Sequence, residues 1–319
     1  MAPEVSILLA CFNGVANLAA SLRSVQEQTF SGWELICVDD GSTDGSAGFM
    51  ESLAQDQPRL VVLRNERNLG LTCSLNRAAS VARGRYIARL DVGDAFMPEK
   101  LAKQVAYLDD HPEVILCGTQ VVFTSQGREV GRSHFACQDQ DIRRRFVTRQ
   151  GVFCHSSIMF RNRGVFYNEA FRYSQDLELY MRMACLGKLA CLDECLTVYR
   201  FDEQGLTLGR KYFQRQYANA AYELYRRGFF SPGRPPPELP WKIHDRFLGR
   251  FLCRLSMRCF RRYVENRPTA VIPWLWLGLS CMIYPPLLFD YVQKAMGWAR
   301  VRFFEGGKVQ RFRVQRLEK

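Results

Sequence analysis

Three groups of carboxylates carry spacing that could do chemistry. Asp39-Asp40-Gly41-Ser42-Thr43-Asp44-Gly45-Ser46 follows directly on an apolar run, Glu34–Val38. Adjacent carboxylates at a strand end can accept hydrogen bonds from a base N–H and from ribose hydroxyls. The glycines and serines after them predict a tight turn into a helix capped by Ser42 or Thr43. The same octet also reads as a solvated surface turn. Asp91-Val92-Gly93-Asp94 closes a second apolar run, Tyr86–Leu90. Two carboxylates at the mouth of an α/β site can share a divalent cation, Mn²⁺ or Mg²⁺, that bridges to a diphosphate. Such a cation stabilises charge developing on a leaving group. The alternative is a strand-end turn in which Asp94 caps a helix starting near Pro98. Third, Ser174-Gln175-Asp176 precedes an amphipathic run, Leu177–Leu186. Asp176 fits the first turn of a helix, where the dipole favours an acid. It also fits a general base that deprotonates an acceptor hydroxyl at the lip of a site. His155, in Cys154-His155-Ser156-Ser157-Ile158-Met159-Phe160, reads most simply as a structural loop histidine.

The elements that must hold these groups alternate. Val5–Phe12, Glu34–Val38, Arg59–Arg64, Tyr86–Leu90 and Val114–Phe123 read as strands. Helical spacing falls between them at Ala16–Gln28, Leu71–Ala82 and Pro98–Asp110, the last with proline in the favoured first turn. This alternation predicts an α/β fold, a mainly parallel sheet flanked by helices. Ligands of such sheets bind beyond the carboxyl ends of the strands, where Asn13, Asp39, Asp40, Asp91 and Asp94 gather. The loops around residues 124–175 carry no legible pattern.

Composition divides the chain. The net charge is +12, but residues 1–205 carry about −3 and residues 206–319 about +15. The expected organisation is a catalytic α/β domain over 1–205 and a basic, largely helical region over 206–319. Within the latter, Val271–Phe289 has no charged residue before Asp290 but is broken by Pro285 and Pro286. With Trp274, Trp276 and Tyr284, it reads as a segment that re-enters or lies on a membrane; a full span or a buried hairpin is the alternative. Flanking arginines suit an anionic membrane surface. Interleaved Arg and Tyr from Arg210 to Tyr263 would also suit a polynucleotide, but no nucleic-acid motif is present and a membrane surface explains the apolar segment as well. Twelve cysteines without a Cys-x-x-Cys pair, and no apparent signal peptide, predict reduced thiols in the cytoplasm. Four scattered histidines make a His/Cys zinc site unexpected.

Seven ordered motifs together resemble the family 2 glycosyltransferases. They are Val5-Ser6-Ile7-Leu8-Leu9-Ala10-Cys11-Phe12-Asn13-Gly14; Ser24–Phe30 leading to Trp33–Ile36 and Val38-Asp39-Asp40-Gly41-Ser42; Asn68-Leu69-Gly70; Arg83–Asp91; Met97–Leu101; Asp176–Arg182; and Val198-Tyr199-Arg200. The resemblance covers about residues 3–205. It implies a GT-A fold and an inverting transfer from a nucleotide-sugar donor, with a UDP-sugar favoured, to a glycan or lipid-linked acceptor in surface polysaccharide or glycolipid assembly. It implies that Asp40 reads the donor base with Asp39 nearby. It also places Ala10, Phe12, Asn13, Asn68, Gly70, Arg89 and Asp91 around the nucleotide and His155 and Gln175 on the acceptor side, with Asp176 as catalytic base. Such a transfer passes through an oxocarbenium-like state. The implied location is the cytoplasmic face of a membrane.

The chain departs from the family pattern twice. Where the family has Asp-x-Asp-Asp, it has Asp91-Val92-Gly93-Asp94, so Gly93 replaces the carboxylate expected on the metal. Asp91 and Asp94 are then the metal candidates, with Asp94 taking over if the glycine lets the chain shift. Where the family often has histidine, this chain has Asp202, still a ligand for a hard cation. The competing reading is a catalytically weak relative that binds a nucleotide sugar and acts as a scaffold.

Overall fold

The computed structural model describes residues 2–201 and 207–230. Asp202, most of the basic C-terminal region and the apolar segment 271–289 lie outside the described residues. The chain forms two compact units, residues 1–203 with 215–242 and residues 204–214 with 243–319. The sheet and the helices that flank it up to residue 183 lie in the first.

The opening strand, β1 (Val5–Cys11), shows why the apolar runs became strands. Val5, Ile7, Leu9 and Cys11 enter one core cluster and Leu8 enters the other, so side chains alternate into packing on both faces. β2 (Trp33–Asp39) repeats this, with Trp33, Leu35 and Cys37 on one side and Ile36 and Val38 on the other. A strand buried on both faces reads as a continuous apolar run. Each such Leu or Ile gains about 1.5–3 kcal/mol from burial.

Helices α1 (Val15–Gln26), α2 (Ser46–Asp56) and α3 (Leu71–Ser80) connect β1, β2, β3 (Leu60–Arg64) and β4 (Tyr86–Arg89). These four strands pair in parallel in the order β3-β2-β1-β4. Then follow β5 (Ala95–Phe96), α4 (Lys100–Asp110), β6 (Val114–Ser125), β7 (Arg128–Arg132), α5 (Asp139–Val147), β8 (Met159–Arg161), α6 (Gln175–Met183), β9 (Lys188–Phe201) and α7 (Thr207–Arg226). The full sheet order is β3-β2-β1-β4-β8-β6-β9-β5, with β7 on β6. Its first half is parallel as expected, whereas β8 runs antiparallel to β4 and β6, and β5 antiparallel to β9. α4 begins at Lys100 rather than Pro98, whose carbonyl takes the Thr29 N–H at 2.9 Å. From the region assigned to the C-terminal half, α7 contributes Ala220, Ala221 and Leu224 to the core.

β9 is the element that closes the site. It pairs in parallel with β6, with register shifts beside Gln120, and at its far end pairs with β5 through Val198 and Ala95. Tyr199 and Arg200 are thereby brought to the loop that follows β4. Among the described residues no helix is long and apolar enough to cross a membrane.

Candidate active site

The carboxyl ends of β1 and β2 are latched together. The Asn13 N–H donates to Ser42 Oγ at 2.9 Å, and Asn13 Oδ1 accepts from the Thr43 N–H at 2.9 Å. Gly14 donates to Ser46 Oγ at 3.1 Å and Val15 to Asp44 Oδ2 at 3.0 Å. Asn13 adopts φ 50°, a conformation that asparagine tolerates better than other non-glycine residues. Ser42 and Thr43 therefore tie two loops together. They do not cap α2, whose N-cap is Gly45 at φ 92°. Gly41 is required where it stands: at φ 74°, a Cβ would lie 2.7 Å from the Arg67 carbonyl carbon.

Asp39 and Asp40 have different environments. Asp40 Oδ1 accepts from Asn65 Nδ2 and the Leu69 N–H, both at 2.8 Å, and Oδ2 accepts from the Gly70 N–H at 2.9 Å. Both its oxygens are spent on shaping the 65–70 loop. Asp39 is fully buried; Oδ2 accepts from the Ser42 N–H at 3.1 Å and lies 4.0 Å from Arg64 Nε, while Oδ1 has no hydrogen-bond partner among the described residues. An unpaired buried acceptor is costly unless a ligand satisfies it. The free acceptor of the pair thus belongs to Asp39. Around it, Phe12 is 48% and Leu69 46% exposed, apolar surface at the loop ends. Asn68 is exposed beside them and Ala10 half-buried. Asn65, which the sequence reading missed, is the residue that joins Asp40 to Ser74 Oγ at 2.9 Å; its only signal is an asparagine directly after β3.

At the end of β4, Arg89 is fully buried and underlies the site. It donates to the Leu8 carbonyl at 2.6 Å, to the Leu90 carbonyl, and to Asp91 Oδ1 at 2.5 Å. Burial works to raise the Asp91 carboxyl. The Arg89 guanidinium, aided by His155 and the Ser156 hydroxyl, overrides it and holds Asp91 below the usual carboxylate range. Asp94, 3% exposed, is pushed up to about 7 by burial and then by the Asp91 charge.

Ser156 joins the two acids. Its Oγ donates to Asp94 Oδ2 at 2.5 Å and accepts from the Asp91 N–H at 3.0 Å. Asp94 Oδ1 takes the Arg200 N–H at 3.1 Å, and Ser21 Oγ donates to the Asp94 carbonyl at 2.7 Å. Asp94 caps no helix. Gly93 sits at φ 100° in the turn between the acids, and a Cβ there would meet only Asn17 at 3.8 Å. The fit to a divalent cation is therefore uneven. Asp91 is a third exposed, and its Oδ2 stands 3.5 Å from Ser156 Oγ and 3.6 Å from His155 Nδ1. Asp94 has both oxygens occupied by protein donors. Among the described residues no three His, Cys, Asp or Glu side chains converge as a ready cage.

His155 opens a 3-10 turn, His155–Ser157. Its Nε2 lies 2.8 Å from the Tyr167 hydroxyl, and burial and then the Arg89 cation drive it down to about 4, leaving it neutral near pH 7. Asp176 lies in the first turn of α6 after Ser174, which adopts φ 53°. Gln175 is buried, and Glu178 is fully buried against Arg182 at 2.9 Å. Asp176 has no hydrogen bond or ion pair with another described residue. Its charge reaches His155 and Tyr167, and Tyr199 feels Asp94, Asp91 and Asp176 together. The three acids thus lie within electrostatic reach of the same tyrosine. Tyr180, one turn after Asp176, is fully buried with a hydroxyl that has no partner among the described residues.

Comparison with known proteins shows the family and the fold. Residues 6–169 match the family model described as glycosyl transferase family 2. EpsE of Bacillus subtilis (strain 168), named as a glycosyltransferase, is 32% identical over 236 residues, which is 70% of this chain and 83% of that protein. The amylovoran biosynthesis glycosyltransferase AmsE of Erwinia amylovora is 28% identical over 228 residues, 69% of this chain and 84% of its own. Among solved structures, S. aureus TarS 1–349 in complex with UDP superposes with a TM-score of 0.56 at 16% identity, covering 93% of this chain and 87% of that one. That likeness shows the fold, GT-A.

Proposed function

We propose, on the premise that the chain belongs to glycosyl transferase family 2, that it moves a sugar from a nucleoside-diphosphate donor to an acceptor hydroxyl with inversion. That it is a glycosyltransferase of polysaccharide type follows from its family and its relatives. The reading of the mechanism rests on one observation: the Asp176 carboxylate has no partner among the described residues and acts on the same tyrosine, Tyr199, as Asp91 and Asp94 do. A single in-line displacement needs one base to take the acceptor proton and no protein nucleophile. Asp176 serves as that base. The other requirement is neutralisation of the departing diphosphate.

The donor base is read at the Asp39–Asp40 strand end, where Asp40 shapes the 65–70 loop against which the base lies and the buried Asp39 holds the Ser42 turn beneath it. Phe12 offers its exposed ring beside it. A UDP-sugar is the favoured donor, and the UDP complex of TarS supports that choice. A divalent cation, Mn²⁺ or Mg²⁺, would be held chiefly by Asp91 and would supply charge neutralisation at the diphosphate. Arg89 keeps Asp91 ionised for that task, and Ser156 fixes its backbone. His155, neutral and tied to Tyr167, stands with Gln175 on the acceptor side. The acceptor is a glycan, free or lipid-linked, met at the cytoplasmic face of a membrane. The charge of residues 206–319 and the apolar stretch 271–289 support this.

Thermal-shift titration of wild type and Asp176→Asn with UDP, GDP, dTDP and CMP, each with and without Mn²⁺, tests the reading alongside turnover. UDP raises the midpoint of both proteins, more so with Mn²⁺. Nucleotide release falls by about 10²–10⁴ in the variant, the usual worth of a general base. Retained turnover in Asp176→Asn would remove the base. No response to any nucleotide, with no turnover, would favour the scaffold reading.

A further inference from the structure

A second charged concavity lies at the opposite end of the sheet from the carboxylates. A cavity of about 560 Å³ is lined by Arg143, Arg161, Arg163 and Lys188, with Glu113 as its one acid. Arg161 on β8 pairs with Tyr86 of β4, five residues before Asp91. At about 3.3 Å per residue the two ends are roughly 16 Å apart. α6 gives the same answer: Asp176 is in its first turn, while Ala184 and Leu186, just past its end, line the cavity. This cavity is separate from the site described above.

The walls are built, not incidental. Val114 of β6 pairs with Lys188 of β9, and the Lys188 N–H donates to the Glu113 carbonyl at 2.9 Å. At Gly187 a Cβ would lie 2.9 Å from that same carbonyl oxygen, so glycine permits the close approach. Arg143 grips the Gly187 carbonyl at 2.9 Å and Asp139 at 2.7 Å. Arg161 is fixed by three backbone carbonyls, those of Val114, Leu108 and His111, at 2.8, 2.5 and 3.1 Å, and has no carboxylate within ion-pair distance among the described residues. Arg163 is exposed, with no hydrogen bond or ion pair to a described residue. Lys188 stands 3.7 Å from Glu113.

Arg143 is paired with Asp139 and Lys188 faces Glu113, so Arg161 and Arg163 leave an excess of positive charge in a concave site. One guanidinium is locked in place and another is free to close on a ligand. Guanidinium forks and an ammonium together match the oxygens of a phosphate, and a concave wall concentrates their field. We propose that this cavity is a second anion site that binds a phosphate group, carried either by a phospholipid headgroup or by a small soluble phosphate. It is independent of the donor site and of the assignment of the base.

The test uses the full chain, with UDP and Mn²⁺ saturating to fill the donor site, and compares wild type with Arg163→Ala/Lys188→Ala. Both side chains are exposed and leave the sheet intact; an unchanged circular dichroism spectrum and unliganded Tm verify folding whether or not UDP binds. Inorganic phosphate, titrated by thermal shift against chloride at matched ionic strength, should bind the variant about tenfold more weakly. Vesicles of phosphatidylcholine with and without phosphatidylglycerol then separate the sources. A matching loss on phosphatidylglycerol vesicles identifies the headgroup, and a loss confined to inorganic phosphate identifies a soluble ligand. Equal phosphate binding by variant and wild type, or none by either, overturns the proposal. Lys188→Arg, which keeps the charge, should bind as wild type does; failure of that rescue also counts against the site.

Discussion

Replacing Asp94 by Asn isolates the cost of holding a second carboxylate beside Asp91. In the folded chain its carboxyl is pushed up to about 7 by burial and then by Asp91, from an ordinary value of 3.8. Between those values the folded protein keeps a proton that the unfolded chain has lost. Stability from this group is therefore complete at low pH and falls as pH rises from about 4 to about 7, the reverse of a salt-bridged aspartate. A rise of roughly three units, each worth 1.36 kcal/mol, comes to about 4 kcal/mol at pH 8. Asn carries no charge at any pH, so Asp94→Asn is more stable than wild type by about that much at pH 8 and equal to it near pH 4. At about 2–4 °C per kcal/mol, the gap in Tm opens to about 10 °C. Two neighbours also titrate. His155, driven down to about 4, loses stability as pH falls from 6.5 toward that value, and Asp91, held below the usual range, loses it only at still lower pH. Both are present in each protein, so the difference between the two curves reports Asp94. The assay is Tm from pH 4 to 8 in EDTA. Parallel curves, or a wild type that gains on the variant as pH rises, would refute the burial and like-charge argument.

Asp39→Asn should weaken the UDP-induced shift in the same titration, because the buried Asp39 holds the Ser42 turn at the strand end. Asp40→Ala should lower Tm by an amount equal to about 3 kcal/mol or more, since three donors lose their acceptor at about 1–3 kcal/mol each. Lys100, fully buried with one bond to Gln104 at 2.8 Å, is pushed down to about 7 by burial. Lys100→Met should therefore gain about 5 kcal/mol below pH 7, roughly 3.5 units at 1.36 kcal/mol each, an advantage that shrinks between 7 and 10.5 and that chemical denaturation at pH 6 and 10 would measure. Gly93→Asp should lower Tm by a few degrees, because φ 100° costs a side chain about 1–3 kcal/mol. It should also enlarge the Mn²⁺ contribution to the UDP shift.

Legibility followed periodicity. β1, β2 and β4 were readable because burial on both faces leaves an unbroken apolar run, and the helices between them because one face packs on the sheet. β9 was not, since Asp193 and Glu194 interrupt it and its pairing with β6 shifts register around Gln120. β8 is three residues long and owes its place to neighbours on either side. The acids themselves stood out, as charges at the ends of apolar strands do. What joins them did not: Ser156 lies 65 residues from Asp91, and a serine hydroxyl carries no signal until the fold delivers it. The resemblance assigns the donor base to Asp40 with Asp39 nearby; that the 65–70 loop folds over both oxygens of Asp40 was not legible, because it depends on where the fold brings Asn65, Leu69 and Gly70.

Gly93 shows how one residue changes the balance of a site. Glycine permits φ 100°, the Gly93 N–H then reaches Ser21 Oγ at 2.9 Å, and the Asp94 N–H closes onto the Asp91 carbonyl at 3.1 Å. This tight turn is the shift that would let Asp94 replace the missing carboxylate, but it carries Asp94 inward to Ser156 and the Arg200 N–H. Instead of a second outward ligand, the site gains a buried acid poised near neutrality behind Asp91. A cation at Asp91 would favour ionisation of Asp94 and be favoured by it, so metal affinity should rise with pH through about 7. A relative with aspartate at position 93 would hold its cation by direct ligation and show a flatter dependence over the same range.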